Sequence, residues 1–94
     1  MSARGIYAWR FAKYIGTRIG EERRRLELSQ VGLARAVGLT SGIVSRYERG
    51  ENCPTVETLL QLAVVLGVEP GALLPELVEV LAIVQPKPKR KARR

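Results

Sequence analysis

The sequence contains no histidine, no aspartate and only one cysteine. A histidine base, a Ser-His-Asp triad, a His/Cys zinc cluster and an aspartyl dyad therefore cannot be assembled within one chain. A single cysteine cannot form an internal disulfide, so nothing indicates an oxidising compartment. These absences disfavour an enzyme, and they predict neither a metal site nor a cofactor.

Long apolar runs are also missing. No uncharged apolar stretch approaches the ~20 residues that a membrane span needs, and the start of the chain, Met1 to Arg4, lacks a signal-peptide core. The 94 residues are 46% hydrophobic and 27% charged, which is typical of one small folded domain. We expect a cytoplasmic binding protein that makes no contact with a membrane.

The formal net charge of +7 is distributed unevenly along the chain. Residues 1–49 hold ten Lys or Arg against four Glu, residues 50–86 hold five Glu and no basic residue, and residues 87–94 hold six Lys or Arg. A basic half joined to an acidic half indicates one face for a polyanion, although a solvated surface that segregates by chance explains the charge equally well. Residues 86–94 are predicted to be a disordered basic tail that adds phosphate contacts or serves localisation or solubility.

The central sequence predicts an all-α domain of five short helices over residues 15–74. Apolar positions recur at helical spacing in the first of them, from Ile15 to Leu26. Pro70 can open the fifth helix. Capping and stop residues bound the three helices between them; the pairs are Ser29 and Gly38, Thr40 and Gly50, and Thr55 and Gly67.

Two flanking segments leave alternatives open. Residues 1–14 hold four of the five aromatic side chains and predict either a backward extension of the first helix or an arm against a partner. Residues 75–85 form a short apolar segment whose spacing fits a helix, while Val80 to Val84 also suits a strand. Helix is the preferred interpretation.

The segment from Gln30 to Gly50 has the pattern of two helices joined by a tight turn. Ala34 is small where the two helices must cross closely, and Gly38 tolerates the positive φ that ends the first of them. The apolar side chains expected to point inward are Leu33, Val37, Val44 and Tyr47. Each feature is common alone, but the combination of offsets is specific.

The strings that carry this pattern include Leu28-Ser29-Gln30, Leu33-Ala34, Val37-Gly38 and Val44 to Gly50. Over about 60 of the 94 residues, from Ile15 to Leu74, the sequence resembles the phage-repressor-like helix-turn-helix family, also called the Cro/cI or xenobiotic-response-element (XRE) type. The resemblance implies a five-helix fold that binds duplex DNA, usually as a symmetric dimer, and regulates transcription as a repressor.

The resemblance also implies roles for residues around the third helix, Ser41 to about Arg49. Its base-reading positions are Thr40, Ser41, Gly42, Ser45 and Arg46. Arg46 is the strongest candidate, because a guanidinium can bond O6 and N7 of guanine together, although it could instead meet only phosphate. Gly42 departs from the family pattern, since it has no side chain with which to read a base.

Phosphate contacts are expected at Gln30, Arg18, Arg35, Arg49 and Asn52. Gln30 opens the second helix, whose N-terminus presents free N–H groups and a partial positive charge to an anion. The alternative is that Gln30 is a neutral first-turn residue. The resemblance further implies that Arg23 and Glu48 form a largely buried structural ion pair between the first and third helices.

A homodimer is expected as well, because one recognition helix reads too few base pairs to be selective against a genome. Two copies related by a two-fold axis would place their helices about 34–36 Å apart, in successive major grooves. The apolar C-terminal segment offers the interface residues Leu77, Val78, Val80, Leu81 and Val84.

Other classes of function remain open. In one, the helix-turn-helix is a scaffold in a protein-interaction module, such as an antitoxin-like partner or a coactivator-bridging domain. Another is an RNA or single-strand binder, which is disfavoured because no exposed stacking aromatic is expected near the third helix. The preferred interpretation is a nucleoid-associated regulator that binds double-stranded DNA in a sequence-specific manner.

Overall fold

The computed structural model describes residues 3–84, with side chains from Tyr7 onward. Within this part the chain forms five α-helices and one 3₁₀ helix, and no strand, which confirms the all-α prediction. The α-helices are α1 (Ala3–Arg25), α2 (Gln30–Val37), α3 (Ser41–Glu48), α4 (Val56–Leu66) and α5 (Leu77–Ile83), and the 3₁₀ helix is Pro70–Leu73. The basic tail predicted for residues 86–94 lies outside the described residues.

The structure decides one alternative that the sequence left open, and one helix differs from the sequence-based expectation. Residues 3–14 extend α1 backward, so they are not a separate arm. Pro70 opens a 3₁₀ helix instead of an α-helix. Pro75 ends this helix after four residues, because proline disfavours helical backbone at the residue before it. Leu74 is accordingly extended (φ −109°, ψ 151°), and the following apolar segment forms α5.

The core lies where α1 to α4 and the 3₁₀ helix meet. Its buried side chains are Ile15, Ile19, Leu33, Ala34, Val44, Tyr47, Leu59, Leu62, Ala63, Leu66 and Leu73. Val37, predicted to point inward, packs against this core but stays half-buried, because it lies in the last turn of α2 beside the exposed Gly38. α3 packs mainly against α1 and α2, which hold it at the surface of the domain.

No single helix within residues 3–84 is long and apolar enough to cross a membrane. α4 and the segment 70–83, which meet at 106°, pass that test only when taken together, by length and composition.

Candidate nucleic-acid interface

The turn between α2 and α3 is built around Gly38. This residue has φ 86° and ψ 29°, a left-handed conformation that side chains rarely adopt. Its N–H and that of Leu39 both donate to the carbonyl oxygen of Ala34, each at 2.8 Å. A Cβ at Gly38 would meet no atom within 4 Å, so the requirement for glycine is conformational and not spatial.

The first turn of α3 is exposed and capped. The hydroxyl of Thr40 accepts a hydrogen bond from the N–H of Ile43 at 3.2 Å, which fixes the start of the helix. Thr40, Ser41 and Gly42 are all exposed. A Cβ at Gly42 would have only the Thr40 hydroxyl nearby, at 3.9 Å, so this position is open to solvent.

The opposite face of α3 is packed closely against α1. Val44 is fully buried and Tyr47 is 8% exposed. A Cβ at Gly16 would overlap the carbonyl oxygen of Tyr47, and one at Gly20 would lie 3.3 Å from the carboxyl carbon of Glu48. Gly16 therefore lets the backbones of α1 and α3 approach, and Gly20 leaves room for the side chains of Arg24 and Glu48. Sequence reasoning missed them, although two glycines four residues apart in a helix are a signal of close packing.

The predicted ion pair between Arg23 and Glu48 is present and bidentate. The Arg23 Nε donates to Oε2 of Glu48 at 2.6 Å, and its Nη2 donates to Oε1 at 3.0 Å. The two side chains are only 11% and 9% exposed. Arg23 also donates to the carbonyl oxygen of Leu28 at 2.8 Å, and the amide nitrogen of Gln30 donates to Glu48 at 3.0 Å. One carboxylate thus joins α1, α2 and α3.

The same contacts determine the charge state of Glu48. Burial raises the pKa of this carboxyl, but the hydrogen bonds from Arg23 and Gln30 outweigh that effect, and its pKa lies below the ordinary value. Glu48 is therefore ionised at neutral pH and serves as a fixed structural anion. The Gln30 side chain was predicted to reach a phosphate, but in this structure its amide nitrogen donates to Glu48.

Arg46 points away from the core on the exposed side of α3. Among residues 7–84, whose side chains the structure describes, it has no ion pair or side-chain hydrogen bond, and Arg35 on α2 is likewise exposed and without an ion pair. Ser45 accepts a hydrogen bond from Arg49, whose guanidinium also pairs with Glu51 at 2.8 Å. Asn52 is exposed in the loop after α3. Arg35, Arg46, Arg49 and Asn52 are therefore all exposed in or beside the helix-turn-helix.

Arg18 does not belong to that group. It lies on the side of α1 that faces the 3₁₀ helix and α5, away from Gly16 and Gly20. Its Nε donates to the carbonyl oxygen of Ala72 at 3.0 Å, and its other nitrogens pair with Glu21 and Glu22. These bonds use the guanidinium for packing within the domain, and we leave Arg18 out of the interface.

α5 is attached to α1 through polar contacts and keeps an apolar outer side. The Tyr14 hydroxyl donates to Oε1 of Glu79 at 2.9 Å, and this bond, together with burial, raises the pKa of Tyr14. The N–H of Glu76 donates to the same oxygen at 3.0 Å. On the outer side, Leu77 is 72% exposed and Leu81 52% exposed.

This arrangement defines the class of protein. Two short helices joined by a glycine turn, with the second helix presented outward from a small helical core, are a helix-turn-helix domain. Residues 19–73 match the helix-turn-helix family model HTH_3, and the chain belongs to this family.

Two curated proteins illustrate the relationship. The HTH-type transcriptional regulator y4aM of Sinorhizobium fredii, itself uncharacterised, is 34% identical over 64 residues, which are 68% of this chain and 45% of that protein. Repressor protein C2 of Salmonella phage P22 is 37% identical over 60 residues, which are 64% of this chain and 28% of the relative. The match thus spans less than half of the length of either relative.

Solved structures share the fold. The restriction-modification controller protein C.AhdI from Aeromonas hydrophila has a TM-score of 0.65 at 35% identity, over 67% of this chain and 96% of that one. The P22 c2 repressor in complex with a synthetic operator has a TM-score of 0.61 at 37% identity, over 64% of this chain and 91% of the repressor chain. Hydroxypropylphosphonic acid epoxidase from S. wedmorenis also matches (TM-score 0.66, 29% identity), over 69% of this chain but 35% of the enzyme.

Proposed function

We propose that this chain is a transcriptional repressor that binds double-stranded DNA in a sequence-specific manner, associates with the nucleoid in the cytoplasm and is not an enzyme. The observation that carries the proposal is Arg46, an exposed cation without an ion pair in the described part of the chain, on a helix whose other face is fixed against α1. The P22 repressor, which shares this fold, was solved with an operator. A helix held in this way can enter the major groove without rearrangement.

In the proposed complex the exposed side of α3 faces the base edges. Arg46 donates two hydrogen bonds to one guanine, a contact worth roughly 1–3 kcal/mol of discrimination against the wrong base. Thr40, Ser41 and Ser45 have short hydroxyl side chains that bond either base edges or phosphate. Gly42 allows the backbone of α3 to come close to the DNA, since it has no side chain to project into the groove.

The phosphate contacts come from the residues around α3. Gln30 offers the free N–H groups at the start of α2, and Arg35 and Asn52 are exposed beside the turn and the following loop. In the complex the Arg49 guanidinium leaves Glu51 and binds a phosphate oxygen. Breaking the Arg49–Glu51 ion pair costs little free energy, because an exposed ion pair contributes only about 0–1 kcal/mol.

The proposal includes a homodimer formed through α5. Leu77, Val78 and Leu81 are more than half exposed, and together with the half-buried Val80 and Val84 they give the helix an apolar side without a partner within residues 3–84. Pairing this side across a two-fold axis removes it from water and presents two copies of α3 to successive major grooves.

A salt titration tests DNA binding against the scaffold alternative. A palindromic site is first selected from random duplexes, and its affinity is then measured by fluorescence anisotropy between about 50 and 200 mM salt. We expect log affinity to fall steeply with log salt, by about 0.9 for each neutralised phosphate.

The control is a chain that lacks residues 87–94, because the six basic residues of the tail bind any polyanion. The shortened chain should keep its preference for the selected site and lose only part of the slope. Loss of all duplex binding on removal of the tail would contradict the proposal and favour a protein-interaction module.

A further inference from the structure

Lys13 lies on the side of α1 that faces α3. Lys13, Gly16 and Gly20 are spaced by three and then four residues, so they share one face of the helix. A Cβ at Gly20 would lie 3.3 Å from the carboxyl carbon of Glu48, and one at Gly16 would overlap the carbonyl oxygen of Tyr47. This face of α1 therefore follows the last turn of α3.

The same face brings Lys13 to Gly50, which directly follows Arg49, the C-terminal cap of α3. Gly50 has φ 77°, and a Cβ there would lie 2.9 Å from Cα, 3.2 Å from Cβ and 3.1 Å from Cδ of Lys13. The aliphatic stem of Lys13 thus packs on the backbone just past α3. Its contact is one residue from Arg49 and two from Asn52, both of which are proposed to bind phosphate.

The ammonium of Lys13 has no partner among the side chains that the structure describes, those of residues 7–84. Lys13 is exposed and forms no ion pair or hydrogen bond there, although the last carbonyl groups of a helix readily accept from a lysine. Arg10, one turn earlier on α1, is likewise exposed and without an ion pair. Two cations therefore continue along α1 beyond the end of α3.

Arg10 and Lys13 also line a groove between α1 and α5. With Arg18 they give it three cations, and it holds as many carboxylates, namely Glu21, Glu76 and Glu79. None of these carboxylates forms an ion pair with Arg10 or Lys13. The groove itself has no preference for an anion, so what distinguishes Lys13 is its contact with Gly50.

The end of α3 is where a DNA strand is expected. A recognition helix contacts base edges with its N-terminal residues, so its C-terminal end points towards the sugar-phosphate backbone that borders the major groove. α3 has eight residues and is about 12 Å long, close to the ~12 Å width of that groove. A cation fixed just past its last residue is therefore placed at the bordering strand.

We propose, on the basis of the DNA binding proposed above, that Lys13 and Arg10 bind phosphates next to the one bound by Arg49, so that α1 lies along the DNA backbone. The two cations are about 4.5 Å apart along α1, and successive phosphates of one strand are about 3.4 Å apart along the duplex axis. The family match covers residues 19–73, so both cations are additions of this chain to the shared domain.

Salt titrations of the whole chain with the selected operator and a scrambled duplex test this contact. Lys13→Gln and Arg10→Gln should each weaken binding to both duplexes by about two- to fivefold and leave their ratio unchanged, because a phosphate carries no sequence information. Each should also make the slope of log affinity against log salt shallower by about 0.9. Lys13→Arg keeps the charge and should keep the slope.

Gln61→Glu is the matched control, because it changes the net charge by the same amount from an exposed position of α4. It should keep the slope, since salt screens a charge that lies far from the phosphates. Urea melts of Lys13→Gln without DNA should match those of the unmodified chain.

Equal slopes for Lys13→Gln and the unmodified chain would overturn the proposed contact and leave DNA binding standing. The same slope loss in Gln61→Glu would also overturn it, because net charge alone would then explain the effect. A loss of stability in Lys13→Gln with an unchanged slope would mean that Lys13 binds a carboxylate of its own chain. If the unmodified chain bound neither duplex, the proposed function and this contact would both be wrong.

Discussion

Gly16 shows how a single residue positions the proposed recognition helix. Any Cβ at this position would overlap the carbonyl oxygen of Tyr47 and would lie 2.8 Å from its carbonyl carbon. Since the obstructing atoms belong to the backbone of α3, no side-chain rotation can relieve the contact. α1 and α3 would have to separate.

Gly16→Ala should therefore lower the free energy of unfolding by about 3 kcal/mol or more, at the upper end of overpacking effects. Urea denaturation measures it. The control is Gly42→Ala, at an open position of α3, which should raise stability by about 0.5 kcal/mol. Similar stabilities for the two variants would show that α1 and α3 are not in close contact.

Some residues could be interpreted from the sequence and others could not. The turn was predictable from the spacing of the residues around Ala34 and Gly38, because that turn is formed by residues close together in the chain. The sequence did not show that Arg18 contacts the carbonyl oxygen of Ala72, because that residue is 54 positions away. Gly16 was missed for the same reason, since a sequence shows that a residue is small but not what faces it.

At the scale of the helices, Glu48 is the group on which three elements converge. Its pKa is below the ordinary value in the folded chain and returns to that value, about 4.3, on unfolding. The unfolded chain therefore takes up a proton at a pH where the folded chain does not. The stability that Glu48 contributes is complete above its unfolded pKa and is lost as the pH falls through its folded pKa.

Glu48→Gln tests this linkage. The variant should be about 3 kcal/mol less stable at pH 7, because Arg23 loses its buried partner. Urea melts between about pH 7 and pH 3 should show a smaller loss of stability with acid for the variant than for the unmodified chain. Parallel curves would mean that Glu48 titrates alike in the folded and unfolded states.

Helix limits were predictable where a local signal sets them. Ser29, Thr40 and Thr55 cap α2, α3 and α4 as their sequence positions indicated, and Gly38 and Gly67 end two of these helices in the left-handed conformation. The start of α1 and the choice of helix for α5 depend on contacts such as that of Tyr14 with Glu79, which sequence spacing does not show.

At the scale of the whole molecule, the exposed side of α5 predicts self-association. Leu81→Glu places a charge in the proposed apolar interface and should give a monomer at concentrations where the unmodified chain is a dimer. Analytical ultracentrifugation measures this. Val64→Glu is the control, because Val64 is 79% exposed on α4 and outside that interface. A dimeric Leu81→Glu variant would place the interface elsewhere.

The central claim is that α3 reads bases through Arg46, and the most direct measurement is the ratio of affinities for a selected operator and a scrambled duplex at one salt concentration. For Arg46→Ala we predict a lower ratio, by a factor that corresponds to about 1–3 kcal/mol of lost discrimination, while binding to the scrambled duplex changes little. Arg24→Ala, which removes an exposed cation from α1, should keep the ratio. If Arg46→Ala weakened both duplexes equally, the guanidinium would contact phosphate only, and the account of base reading would be wrong.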